Sequence, residues 1–228
     1  MRFHFILLAG GTGSRTGLTR PKQFSLLAGK PVLLYSLGSF LSWKKESPAV
    51  VVCHRDWQEE ARRALDGEGY VHVPVIEGGS SRHSSTLAGL DHFKKNFTPN
   101  DLFLIHDAAR PILEAAELDT LADYFSSPGS LDAASLAGRI TDTIVEGSGL
   151  PGQSGSRLDR EKLFAVKTPQ AFRGAILERL LAVKESQEFT DLLSWTNAAG
   201  IQAELLPAGK RNYKYTNALD LKILEAML

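Results

Sequence analysis

The sequence predicts an α/β fold, a doubly wound and mostly parallel sheet from which one β-arm projects. Three observations carry this reading. Short apolar runs of strand length alternate with amphipathic stretches of helical period. The first run leads straight into a glycine-rich turn, the place where sheets of this class take their ligands. One later segment, at about residues 138–162, breaks the alternation with β-type stretches around a glycine- and serine-rich tip.

Taken in order, Phe3–Leu8, Ala49–Cys53, His72–Ile76 and Leu102–His106 read as buried strands, because each is apolar on both faces. Between them Pro31–Trp43, Asp56–Leu65, Ser84–Phe97 and Glu114–Phe125 read as helices, with Leu87, Leu90 and Phe93 at helical spacing. The tip Gly147–Ser156 marks the arm. An arm that buries neither face alone packs on a partner, so a homodimer is expected, with an ordinary loop as the alternative. Beyond it lie a helix near Gly174–Ser186, another after Thr190, a strand at Ile201–Leu206 and a helix at Asn217–Leu228. Residues 1–228 read as a single domain.

Composition narrows the chemistry. A chain of 228 residues buries roughly 70–75% of its unfolded surface, enough for a real core. Lys and Arg together number 26, as do Asp and Glu, so neither nucleic acid nor an anionic membrane is an expected partner. Any anion site must be a local cluster of cations. The one cysteine, Cys53, excludes an internal disulfide and a multi-cysteine zinc site, and reads as a small buried strand residue. The apolar N-terminal stretch is too short for a signal peptide, and no run approaches the ~18 residues of a membrane span. A cytoplasmic location is expected.

The stretch "LLAGGTGSRTGLTRPKQF" (Leu7–Phe24) fails two familiar patterns. A P-loop needs four residues between its first glycine and Gly-Lys-Ser/Thr, and here Gly13 is followed by Ser14-Arg15-Thr16. A dinucleotide loop needs a third glycine where Thr16 stands, and an acidic residue about twenty positions on. What remains is a strand, a turn over Ala9, Gly10, Gly11, Thr12, Gly13 and Ser14, and two cations. Backbone N–H groups of such a turn surround phosphate oxygens, Arg15 adds a planar fork, and Lys22, aimed by Pro21, adds a point charge. Together they suit a triphosphate, with a solvated loop as the alternative.

Other stretches join this one. "EGGSSRHSS" (Glu77–Ser85) puts Gly79, Ser80, Arg82 and Ser85 between a strand and a helix. An N-cap explains the serines but not the glycine pair. "LIHDAARP" (Leu104–Pro111) sets Asp107 at a strand exit with Ala108 and Arg110 behind it. Asp107 would accept from substrate hydroxyls, support Mg²⁺ through water, or pair with Arg110 across a turn. His106 reads as structural. "VKTPQAF" and "TDLLSW" offer Thr168 and Thr190 at segment ends, and "NYKYT" offers Lys214 in a short late strand.

As an ordered set, L-A-G-G-T-G-S-R, P-K-Q-F, G-G-S-S-R, H-D-A-A-R-P, D-T-I, T-P-Q-A-F, T-D and N-Y-K-Y-T resemble the 2-C-methyl-D-erythritol 4-phosphate cytidylyltransferase family over essentially the whole chain. The resemblance implies the Rossmann-like nucleotidyltransferase fold and transfer of a cytidylyl group from CTP to methylerythritol phosphate, releasing pyrophosphate, with Mg²⁺, in a homodimer. It implies that Arg15, Lys22 and Lys214 are catalytic. The turn from Ala9 to Ser14, with Gly79, Ser80, Ser85 and Ala108, would bind CTP. Asp107, Arg110, Thr168 and Thr190 would bind the acceptor, joined by Thr143 and Arg160 from the neighbouring subunit's arm. No protein metal ligand is assigned; Mg²⁺ would ride on the triphosphate, near Asp107. "LAGG", with Gly10, also resembles the sister family, ribitol-5-phosphate cytidylyltransferase, which makes ribitol phosphate the alternative acceptor. "HDAARP" and Thr190-Asp191 favour methylerythritol phosphate. The physics is consistent: a phosphate monoester is largely a dianion at pH 7, so the nucleophile needs no general base.

Overall fold

The computed structural model describes residues 1–11, 20–183 and 189–228. Strand β1 (Phe3–Ala9) is buried along its whole length. Because side chains alternate across a strand, Phe5, Leu7 and Ala9 enter one apolar layer while Ile6 and Leu8 enter the other. A small hairpin of β2 (Leu26–Leu27) and β3 (Lys30–Pro31) follows. Next come α1 (Leu33–Trp43), β4 (Ala49–Cys53), α2 (Gln58–Gly67), β5 (Val75–Glu77), α3 (Arg82–Phe93), β6 (Leu102–Asp107) and α4 (Ala115–Ser126). The second half holds β7 (Ala133–Arg139), β8 (Val145–Gly147), β9 (Ser154–Arg157), β10 (Phe164–Arg173), α5 (Leu177–Leu181), α6 (Leu192–Ala198), β11 (Glu204–Pro207) and α7 (Ala218–Met227).

The seven-stranded sheet has the order β11-β7-β10-β6-β1-β4-β5. Strand β10 runs antiparallel to both β6 and β7, and the other pairings in this sheet are parallel. The fold expected from the sequence is therefore present. Chain order turns back between β1 and β6, which opens a crevice beyond their C-terminal ends, at Ala9 and Asp107. Helices α1, α2 and α4 cover one face through Leu33, Leu37, Phe40, Ala61, Leu65, Leu118 and Leu121. Helices α3, α5 and α6 cover the other through Leu90, Phe93, Leu177, Leu180 and Trp195. Cys53 is fully buried, and burial pushes its thiol up to about 11, so it is a packing residue.

Several element ends differ from the sequence expectation, each for a local reason. The third strand begins at Val75, not His72, because residues 70–73 close a turn (Val73 N to Tyr70 O, 2.9 Å) and pairing with β4 starts at the Pro74 carbonyl. Helix α1 starts at Leu33, since Lys30 and Pro31 are taken by the hairpin. Helix α2 is preceded by a 3₁₀ turn, Arg55–Trp57. Helix α3 starts two residues early at Arg82 and ends at Phe93. The helix near Gly174 is a 3₁₀ turn followed by the short α5, and Ser186 lies outside the described residues. Strand β11 begins at Glu204, not Ile201. Lys214 is not in a strand: residues 212–216 run irregularly, bonded to the sheet side by Tyr215 N to Ala109 O at 2.7 Å. In the arm segment, β8 and β9 pair as an exposed antiparallel hairpin.

Gly89 faces β1 from the middle of α3, and a Cβ there would come within 2.5 Å of Ile6 Cγ2. Overpacking of a core typically costs about 1–3 kcal/mol, against a helix-propensity gain of about 1 kcal/mol for alanine. Gly89→Ala is therefore expected to lower the urea midpoint; a raised midpoint would show that the helix moves away without cost.

Candidate active site

A cleft of about 360 Å³ opens at the C-terminal ends of β1 and β6. Its floor is the start of the glycine turn, Ala9, Gly10 and Gly11, which leaves β1 where no side chain obstructs the backbone. Gln23 fixes this turn. It is buried, and its amide donates to Ala9 O at 2.5 Å and to Gly11 O at 3.0 Å. Lys22 precedes it in a 3₁₀ turn, Lys22–Phe24, anchored by the stacking of buried Phe24 on Trp57 with ring centres 5.4 Å apart. Lys22 thereby lines the cleft.

The second wall is the entry to α3. Ser81 caps the helix, accepting from Ser84 N at 3.1 Å, while Ser84 Oγ accepts from Ser81 N at 2.9 Å. This reciprocal arrangement satisfies two donors at the helix start. The glycine pair has its own explanation. A Cβ on Gly78 would lie 2.7 Å from Ser85 Oγ, and one on Gly79 2.2 Å from Ser84 Oγ. The loop must pass so close to α3 that only glycine fits. Gly79, Ser80 and Ser85 then face the cleft.

The third wall holds its charge. Asp107, at the end of β6, accepts from Arg82 Nε through Oδ1 at 3.0 Å and from Lys214 Nζ through Oδ2 at 2.8 Å. Burial pushes the carboxyl up, but the charges of Arg82 and Lys214 outweigh it and hold the group well below the usual carboxylate range. An Asp107–Arg110 ion pair, one of the three readings the sequence left open, is not formed; Arg82 and Lys214 take that place. Among the described lining residues, Lys22, Arg82 and Lys214 supply positive charge against this one carboxylate. The cleft suits an anion.

His106, behind Asp107, is fully buried, and burial lowers its pKa to about 4. It is neutral at pH 7. Since Arg110 O only accepts, His106 Nε2 carries the proton (2.9 Å), and Nδ1 accepts from the Thr168 hydroxyl at 3.0 Å. That hydroxyl accepts in turn from Asp107 N at 3.2 Å. The chain of bonds is structural, as the sequence suggested for His106.

The cleft thus gathers Ala9, Gly10, Gly11, Lys22, Gly79, Ser80, Ser85, Asp107, Ala108 and Lys214. Two candidates for acceptor contact lie behind it. Thr168 is buried with its hydroxyl engaged as described, and the Arg110 guanidinium turns to Asn212 Oδ1 (3.2 Å) and Val166 O (3.4 Å). Thr190 is exposed beside Asp191, the N-cap of α6. Thr143 and Arg160 lie in the arm segment, both exposed, and Arg160 Nη1 donates to Thr141 O at 2.8 Å. Thr12, Gly13, Ser14 and Arg15 lie outside the described residues.

For a divalent cation the donor set is poor. No group of three histidine, cysteine or acidic residues occurs among the described residues, and both Asp107 oxygens already accept from cations. Among those residues, no helix is long and apolar enough to cross a membrane.

The family model described as 2-C-methyl-D-erythritol 4-phosphate cytidylyltransferase matches residues 3–228. A protein of that name from Leptospira interrogans serogroup Icterohaemorrhagiae serovar copenhageni is 38% identical over 224 residues, covering 98% of this chain and 91% of its own. One from Aromatoleum aromaticum is 34% identical, covering 99% and 95%. The crystal structure of the Francisella tularensis enzyme of the same name superposes with a TM-score of 0.81 at 25% identity, over 100% of both chains. With the cleft, the sheet order and these relatives in agreement, the chain belongs to the 2-C-methyl-D-erythritol 4-phosphate cytidylyltransferase family.

Proposed function

We propose that this chain transfers the cytidylyl group of CTP to 2-C-methyl-D-erythritol 4-phosphate, releasing pyrophosphate. The observation that carries the reading is the family match over residues 3–228, joined to a cationic cleft at the sheet's switch point. An oxygen of the acceptor phosphate attacks the α-phosphorus of CTP. The new P–O bond forms as the bond from the α-phosphorus to the bridging oxygen breaks, and pyrophosphate leaves with that electron pair. The acceptor phosphate is largely a dianion at neutral pH, so no base has to remove a proton. Alignment and charge neutralisation are then what the protein must supply.

In this reading the glycine turn and Ser80 hold the nucleotide's phosphates, with Lys22 and Arg15 neutralising charge at the α-phosphate. Gly79, Ser85 and Ala108 line the base and ribose, with Gly79 and Ser85 reading the cytosine. Lys214 and Asp107 face the reacting phosphates and the acceptor hydroxyls, and Thr190 lies on the acceptor side. Arg110 and Thr168 support that wall from behind. A divalent cation enters as part of the substrate, on the triphosphate. Residues 1–228 form one catalytic domain, working in the cytoplasm. The arm at about 138–162 joins two copies, so that Thr143 and Arg160 reach the partner's acceptor site. Exposed Val145, Leu150, Phe164 and Val166 in and beside the arm support such a contact.

Gly10 does not favour the ribitol phosphate alternative. A Cβ there would meet Ser85 Oγ at 3.5 Å, an ordinary contact, so glycine and alanine fit equally.

Three measurements test the reading. With CTP and Mg²⁺, pyrophosphate release is expected with methylerythritol phosphate and not with ribitol phosphate; the reverse preference would overturn the acceptor assignment. Removing one preorganised donor of transition-state charge costs on the order of 10²–10³ in rate, so Lys22→Ala or Arg15→Ala is expected to lose at least that much kcat while keeping the wild-type circular dichroism. Near-normal turnover in either would remove its role. Finally, Arg160→Ala and Lys22→Ala subunits, each inactive alone, are expected to regain activity when mixed, because one of the two shared sites in a mixed dimer is intact. Subunit exchange without recovery would refute the shared site.

A further inference from the structure

Arg82 sits in the first turn of α3 and makes two contacts at once. Nε donates to Asp107 Oδ1 at 3.0 Å, and Nη2 donates to Gln170 Oε1 at 3.4 Å. Gln170 is fully buried in β10, and its amide is fixed on every side. Oε1 also accepts from Leu192 N at 3.0 Å, while Nε2 donates to Ser135 Oγ at 3.2 Å and to Asp191 Oδ2 at 3.3 Å. These partners set which amide atom faces Arg82: only the oxygen accepts from a guanidinium and a backbone N–H. The guanidinium therefore bridges a rigid acceptor behind it and the Asp107 carboxylate in front, and that carboxylate holds Lys214.

We propose that Arg82 is a positioning residue for the transfer step: backed by Gln170, it orients the Asp107 carboxylate, which holds the Lys214 ammonium over the cleft. This rests on the cytidylyltransferase reading above. A planar fork spans two acceptors in fixed directions; a single ammonium does not. Among the described residues, the groups that face Asp107 are Arg82 from α3, Lys214 from the segment before α7, and the uncharged Thr168 from β10. Arg110, on its own turn, points to Asn212, and His106 is neutral at pH 7. Arg82 thus acts with Lys214 to keep the carboxylate ionised against burial.

The test uses full-length Arg82→Gln and Arg82→Lys. In ligand-free protein, the Asp107 carboxyl is followed by ¹³C NMR titration and assigned with Asp107→Asn. In the assay, the pH profile of pyrophosphate release gives kcat and the KM for CTP. Misplacing a reacting group by about 1 Å costs on the order of 10² in rate, so Arg82→Gln is expected to lose kcat on that scale with little change in KM. Its Asp107 is expected to titrate at higher pH in the NMR arm. Arg82→Lys, which keeps the charge but not the fork, is expected to return the Asp107 titration towards wild type while kcat stays low. Unchanged kcat in both variants overturns the proposal, as does a fall in kcat with the Asp107 titration unmoved. The NMR arm reads the Arg82–Asp107 coupling without turnover. A wild-type protein that titrates as expected but releases no pyrophosphate would therefore sink the functional reading and not the coupling.

Discussion

The Asp107 carboxylate joins three segments that are distant in sequence: the end of β6, the first turn of α3 and the irregular segment before α7. An anion placed there loses water, and two cations at 2.8 and 3.0 Å compensate. Removing a partner from a fully buried pair costs about 3–5 kcal/mol because a charge is left unmatched. The figure is smaller here, since Lys214 and Arg82 keep 41% and 26% of their side-chain exposure and water screens them. The same three-way contact forms one wall of the cleft and carries a net positive charge into it. Shape and charge at this site thus have one origin.

A second polar cluster explains why the segment bearing Lys214 needs no strand. Asn212 is fully buried, and its amide donates to Glu117 Oε1 and to Thr168 O, each at 2.8 Å. Its Oδ1 accepts from Arg110 at 3.2 Å, and its backbone carbonyl accepts from Lys167 Nζ at 2.8 Å. Burial, reinforced by Arg110, lowers the Lys167 pKa. With every polar atom of its side chain paired, Asn212 holds one backbone position without a ladder, and Lys214 follows two residues later. Tyr215 completes the anchor, buried against Leu27, Val32, Ile112 and Leu224. Arg110 and Thr168, which sequence reasoning assigned to the acceptor, are occupied in supporting this cluster.

Much of this was legible in the residues. The run Ala49–Cys53 is apolar throughout, and a strand buried on both faces has no other composition, so its limits are those expected. Asp107 ends an apolar run, and a carboxylate at a strand exit with alanines behind it marks a site. The glycine pair at 78 and 79 stood out as more than a helix cap, and the close approach of α3 is what requires it. Element ends were harder. Val75 begins its strand because of a turn at 70–73 and a proline carbonyl, neither of which alters hydrophobic period. The roles of Gln23, Gln170 and Arg82 were not readable, although Arg82 stood in a stretch singled out from the sequence, since an amide or a guanidinium acquires a role only from what stands opposite it. For Gln23 the run Pro21-Lys22-Gln23 was a weak marker; for Gln170 there was none.

Sequence by itself determined the doubly wound sheet, because that depends on residue type and local period, and the family, because an ordered set of motifs carries it. Tertiary structure alone decided which charges meet. Lys214 reaches Asp107, and Arg82, not Arg110, completes the pair. The reason is physical: a buried ion pair is chosen by the few ångströms between segments that only the packed sheet brings together, and no spacing along the chain encodes that distance.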